Sequence, residues 1–148
     1  MFRRFRAWLR VVLPAENALF GALILTLAPV LYAGIRSRLG ADTDWEEGLP
    51  TLVPLLSAVI YGVFRAVYFN PMEHRAYGAW LSESPWQFPR PLPLGPLHLV
   101  WQDLFIVGLL TAIFPHDFLT RLNVPTIFLL AYCMTLTYSH TKLVVCQS

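Results

Sequence analysis

The chain has 148 residues, 56% of them hydrophobic and 14% charged, with a formal net charge of +2. A soluble domain carries about a quarter charged residues to cover its surface, so this composition excludes an ordinary water-soluble body. The high apolar content excludes disorder, and the small net charge excludes the basic footprint of a nucleic-acid binder. The expectation is an integral membrane protein.

The chain opens with residues 2–13, where Phe2, Phe5, Leu9, Val12 and Leu13 share one helical face. Arg3, Arg4, Arg6 and Arg10 occupy the other. This pattern predicts an amphipathic helix lying on the anionic inner leaflet, anchored by Phe2, Arg3, Arg4, Phe5, Arg6, Trp8 and Arg10. Pro14 stops it. A cleaved signal peptide is the competing reading. Against it, Pro14 and Glu16 interrupt the apolar region and no small-x-small cleavage site follows.

Four apolar runs follow, at residues 17–35, 48–68, 97–115 and 122–141. Each approaches the ~20 residues that a helix needs to cross a ~30 Å hydrocarbon core. Open strands are excluded, because unpaired backbone amides cannot be left in lipid. The predicted fold is therefore all-α: one polytopic membrane domain over residues 1–148, with four transmembrane helices.

The connection from Arg36 to Gly48 carries Asp42, Asp44, Glu46 and Glu47. Asp42-x-Asp44-x-Glu46 matches the opening of a calcium loop, but the glycine is misplaced and the twelfth position is Val53. It reads as a solvated acidic loop with Trp45 at the interface. The longer connection, residues 69–96, begins with a helix-start signal in Asn70-Pro71-Met72-Glu73. A short interfacial helix from Pro71 to about Ser82 is expected there. Five of the twelve prolines then fall between Pro85 and Pro96, which predicts a stiff, extended strap. Arg90-Pro91-Leu92-Pro93-Leu94-Gly95-Pro96 also matches an R-x-x-P-x-x-P ligand of proline-binding domains. Tethering at both ends favours the strap, with Pro96 in the first turn of the third helix. Trp80, Trp86, Phe88 and Arg90 are its expected contacts with a partner. The short turn from Pro115 to Asn123 makes the last two helices antiparallel neighbours.

With the N-terminus inside, Arg3, Arg4, Arg6, Arg10, Arg65, Arg75, Arg90 and Lys142 fall on the cytoplasmic side, eight of eleven basic residues. Arg36, Arg38 and Arg121 fall outside. This bias predicts both termini in the cytoplasm, across a bacterial inner membrane.

Ionisable residues inside a span are costly and normally face a partner. The topology brings Arg65, Asp103, His98, Gln102, Tyr138 and His140 to one depth, forming a polar intramembrane cluster, with Glu16 at its edge. Arg65 and Asp103 are the expected ion pair, and His98 and Gln102 share a face of the third helix. His74, His98 and His140 could meet at the cytoplasmic face, yet no H-x-x-x-H or E-x-x-H spacing occurs, so neither metal nor other cofactor is assigned. No C-x-x-C, G-x-S-x-G or G-K-[ST] occurs either. Small residues recur at four-residue spacing in Ala18/Ala22/Thr26, Ala58/Gly62/Ala66, Gly108/Ala112 and Ala131/Thr135/Ser139, predicting one packing groove per helix. Leu19, Phe20, Leu52, Phe105 and Phe128 are left to face lipid or another subunit. The expected function is that of a non-catalytic accessory or assembly subunit, whose partners are the bilayer and other membrane subunits or copies of itself. A small oligomeric transporter or channel using Arg65 and Asp103 is the alternative. A membrane-embedded enzyme at the inner leaflet is the third.

Overall fold

A computed structural model describes residues 14–39, 49–70, 73–74, 83, 97–114 and 118–147. They form four helices: α1 (Ala15–Leu39), α2 (Leu49–Tyr68), α3 (Trp101–Ile113) and α4 (Phe118–Gln147). No strand occurs among them. The expected helices over residues 2–13 and 71–82, the acidic residues of the first connection and the proline strap lie outside the described residues, apart from Glu73 and His74. So do Trp80, Trp86, Phe88 and Arg90.

Two helices are long and apolar enough to cross a membrane, over Ala15–Ile35 and Leu122–Ser139. The apolar parts of α2 and α3, Leu52–Tyr68 and Trp101–Ile113, are shorter. Six serine and threonine hydroxyls within the helices are satisfied locally. Thr26, Ser57, Thr111, Thr126, Thr135 and Thr137 each donate to a carbonyl three or four residues back. That bond lets a polar side chain sit on an apolar helix without an external partner.

Contacts along the helices define the bundle. Asn17 and Tyr32 of α1 meet Asp103 and Phe114 near the two ends of the α3 region, so α1 and α3 run parallel. The start of α1 meets the end of α2 through Phe20 and Phe64, stacked at 3.7 Å, which makes that pair antiparallel. α2 and α4 run parallel, with Tyr61 stacked on Phe128 at 5.3 Å and Ser139 bonded to Glu73 just past α2. The core between them is built from Ala58, Tyr61, Ile106, Leu110, Val124 and Phe128.

Two helix backbones approach closely at Gly62. A Cβ there would stand 2.7 Å from the Phe128 carbonyl oxygen and 3.1 Å from Ala131 Cβ. Gly62 of the stripe Ala58/Gly62/Ala66 and Ala131 of the stripe Ala131/Thr135/Ser139 thus meet in the α2–α4 contact. The other two stripes do not. Ala18, Ala22 and Thr26 are exposed, as are Gly108 and Ala112, because α1 meets α3 on another face, where the buried Gly21 seats the Ile106 side chain. Phe128 also departs from expectation. It is 3% exposed, since the close approach at Gly62 places its ring between Tyr61 and Tyr132.

The third helix starts later than its apolar run. Leu97 to Val100 are not helical, Val100 is extended at φ −112° and ψ 164°, and the helix opens at Trp101. The expected start at Leu97, with Pro96 in the first turn, is therefore corrected. The physical reason is Asp103, whose Oδ2 accepts the Val100 N–H at 2.8 Å and fixes the N-terminus there. At the other end Phe114 is extended, as a residue before proline prefers, so α3 ends at Ile113 rather than Pro115.

Gly62 and Gly108 give a matched pair for thermal unfolding. Gly62→Ala forces α2 and α4 apart and should cost about 1–3 kcal/mol. Nothing lies within 4 Å of a Cβ at Gly108. Gly108→Ala should be neutral or stabilising by up to about 1 kcal/mol, because alanine is the better helix former.

Candidate functional site: a buried polar cluster at one end of the bundle

Three helix termini converge where α1 and α3 begin and α2 ends. Asn17 lies in the first turn of α1, Tyr61 and Arg65 face inward one turn apart on α2, and Asp103 lies in the first turn of α3. Asn17, Tyr61, Arg65 and Asp103 are each 0% exposed. A carboxylate at a helix N-terminus also meets the positive end of the helix dipole.

Asp103 is the hub. Its Oδ1 accepts Asn17 Nδ2 at 2.8 Å, the Tyr61 hydroxyl at 2.7 Å and Arg65 Nε at 3.2 Å. Its Oδ2 accepts Arg65 Nε at 3.1 Å and the Val100 N–H at 2.8 Å. An ionised carboxylate offers about four lone-pair sites, and four donor groups fill them. The carboxylate is saturated. The Tyr61 hydroxyl also lies 3.0 Å from Asn17 Oδ1, but it has one proton and the charged, nearer oxygen is the stronger acceptor.

Arg65 is held on several sides. Nε pairs with Asp103, Nη2 donates to the His98 carbonyl at 2.8 Å, and Cζ lies 4.0 Å above the centre of the Phe69 ring. A buried ion pair is better tolerated when further hydrogen bonds surround it, and the Nη2–His98 bond and the donors on Asp103 supply them. From α4, Tyr132 donates its hydroxyl to the Leu97 carbonyl, the residue before His98.

The sequence reading placed Arg65 and Asp103 together, and the structure does so. Asp103 lies in the first turn of α3, because the helix starts at Trp101. Gln102 sits at the margin, accepting from Asn17 Nδ2 at 3.4 Å. His98 contributes through its backbone carbonyl, and its side chain is exposed. Tyr138 is 64% exposed and outside the cluster, and the side chain of His140 lies outside the described residues. Glu16 is exposed, and its neighbour Asn17 enters instead.

Asn17, Tyr61 and Phe69 were not anticipated. A signal for two of them exists. Asn17 is a strongly polar residue at the edge of an uncharged run, and Tyr61 precedes Arg65 by four, on the same helical face. Among the described residues no three His, Cys, Asp or Glu side chains gather in a metal-binding group. A lateral groove of about 440 Å³ lies on the outside of α1 and α2, lined by residues such as Phe20, Val63 and Tyr68. It shares no residue with the cluster.

Removal of one partner should cost far more than removal of both. Asp103→Ala leaves the Arg65 charge buried and uncompensated, at about 3–5 kcal/mol, while an Arg65→Met/Asp103→Leu pair should recover much of that loss. Tyr61→Phe keeps the ring stacking and deletes one of the four donors, at about 1–3 kcal/mol. Unfolding titrations of the four proteins in one detergent would order them.

The chain matches no protein-family model, no characterised protein and no solved structure.

Proposed function

We propose that the chain is a four-span integral membrane protein acting as a non-catalytic accessory or assembly subunit of a larger membrane complex. Both termini then lie in the cytoplasm of a bacterial cell, and the partners are other membrane subunits or further copies of this chain. One observation carries this reading: polarity is inverted, and the buried charge is used up internally. Leu19 is 73% exposed, Phe105 67% and Val30 66%, while Arg65 and Asp103 are 0% exposed. In water such an arrangement exposes its apolar atoms and buries its charges at a cost on both counts. In a bilayer both placements are favourable.

The saturated carboxylate supports a lock rather than a relay. A group that passes protons or ions needs a vacant acceptor position and a path to water, and Asp103 already receives four donors. What remains for function is the outer surface, where apolar side chains and the exposed small residues of α1 and α3 permit close packing with a neighbour.

Two measurements test this. Cys133 is free and exposed on α4. In a Cys146→Ser background it should stay unlabelled by a charged maleimide in sealed and permeabilised membranes, and react once SDS unfolds the protein. Labelling in intact membranes would overturn the spanning reading. Native mass spectrometry after mild extraction should show the 16.9 kDa chain bound stoichiometrically to other membrane chains or copies of itself. A lone chain throughout would sink the subunit role.

A further inference from the structure

The first four residues of the third apolar run are not helical, and their backbone has a particular chemistry. Thirteen helical residues rise about 20 Å, well short of a ~30 Å hydrocarbon core. The four non-helical residues Leu97 to Val100 can add up to about 13 Å at extended rise. The pair together matches the core. Non-helical backbone is tolerated at such depth only where protein surrounds it and satisfies its polar groups. Here side chains do so. The Leu97 carbonyl takes the Tyr132 hydroxyl, the His98 carbonyl takes Arg65 Nη2, and the Val100 N–H goes to Asp103.

We propose that this non-helical lead-in, with the first turn of α3, forms a binding site for a planar guanidinium ion, occupied in the native chain by Arg65 itself as a tethered ligand. The site has three recognition elements. Asp103 presents both carboxylate oxygens to the Nε edge, the His98 carbonyl accepts from Nη2, and the Phe69 ring lies 4.0 Å beneath the central carbon. Asn17 and Tyr61 hold the carboxylate in place from the far side. A planar fork that carries charge, donates along two edges and stacks on a ring satisfies all three elements at once, and a compact ammonium does not. Arg65 thus does more than neutralise Asp103. It ties the non-helical lead-in to α3 by bridging a carboxylate of the helix to a carbonyl ahead of it. The depth of the lead-in rests on the four-span reading, which the Cys133 labelling tests separately. The guanidinium geometry does not depend on it.

Chemical rescue of the full-length chain in detergent micelles provides the test. Arg65→Ala vacates the site and should lower the unfolding temperature by several degrees. Millimolar guanidinium or methylguanidinium, far below denaturing concentration, should restore it saturably. Sodium chloride and urea should not, and wild type should respond to none of them. Adding Phe69→Leu to Arg65→Ala should weaken the rescue. An Arg65→Ala protein indifferent to guanidinium, or restored equally by sodium, would overturn the proposal. Should Arg65→Ala fail to accumulate, Arg65→Lys retains the charge opposite Asp103. Its amides from Leu99 to Asp103 should then exchange at least about tenfold faster, the loss of one charged hydrogen bond, while the α2–α4 contact around Gly62 stays protected. Unchanged exchange in that segment would equally refute the site.

Discussion

The carboxylate of Asp103 ties together parts of the chain that are up to 86 residues apart. Through its two oxygens it receives α1 by Asn17, α2 by Tyr61 and Arg65, and the backbone ahead of its own helix by Val100. Each bond alone contributes modestly, but in a low-dielectric interior the network is cooperative, and a missing member leaves the others unsatisfied. The same bonds set where α3 begins, so the cluster determines local backbone as well as helix packing. An apolar core can slide by a residue with little penalty. A fully paired carboxylate cannot.

Beside the cluster, on the face of α2 that meets α4, the bundle is held by shape. The absence of a side chain at Gly62 brings the α2 backbone against the Phe128 carbonyl, and the aromatic rings of Tyr61, Phe128 and Tyr132 stack along the seam. Close backbone packing and a few polar bonds are the devices that associate helices wherever apolar burial gains little, as it does between helices surrounded by lipid tails. The two devices divide the work. Polar bonds fix α1, α2 and α3 at one end, and close packing fixes α2 to α4 along its length.

Much of this was legible in the residue order. Arg65 and Asp103 stood out because a charge within an apolar run has few tolerable explanations, and their pairing followed from the alternating direction of the runs. The helices themselves were legible as four apolar runs. What escaped were contributions that composition does not mark: the backbone carbonyls of Leu97 and His98, and the rings of Tyr61 and Phe69, which look like ordinary apolar filling. The stripes show the same division. Four looked equivalent at four-residue spacing, yet only those of α2 and α4 meet, since spacing places residues on one face and cannot say what that face opposes.

By itself, then, the sequence determined the helical class, the extent of the apolar runs and the two charges that had to find each other. These are one-dimensional properties, set by the cost of leaving amides or charges in an apolar medium. The tertiary structure decided that the carboxylate is saturated by Asn17, Tyr61, Arg65 and Val100, and that the third run becomes helical at Trp101. It also decided which small-residue stripes lie inside. Those outcomes depend on which faces of different helices meet, because hydrogen bonds and close contacts require atoms within a few ångströms, and residue spacing along one helix carries no such distance.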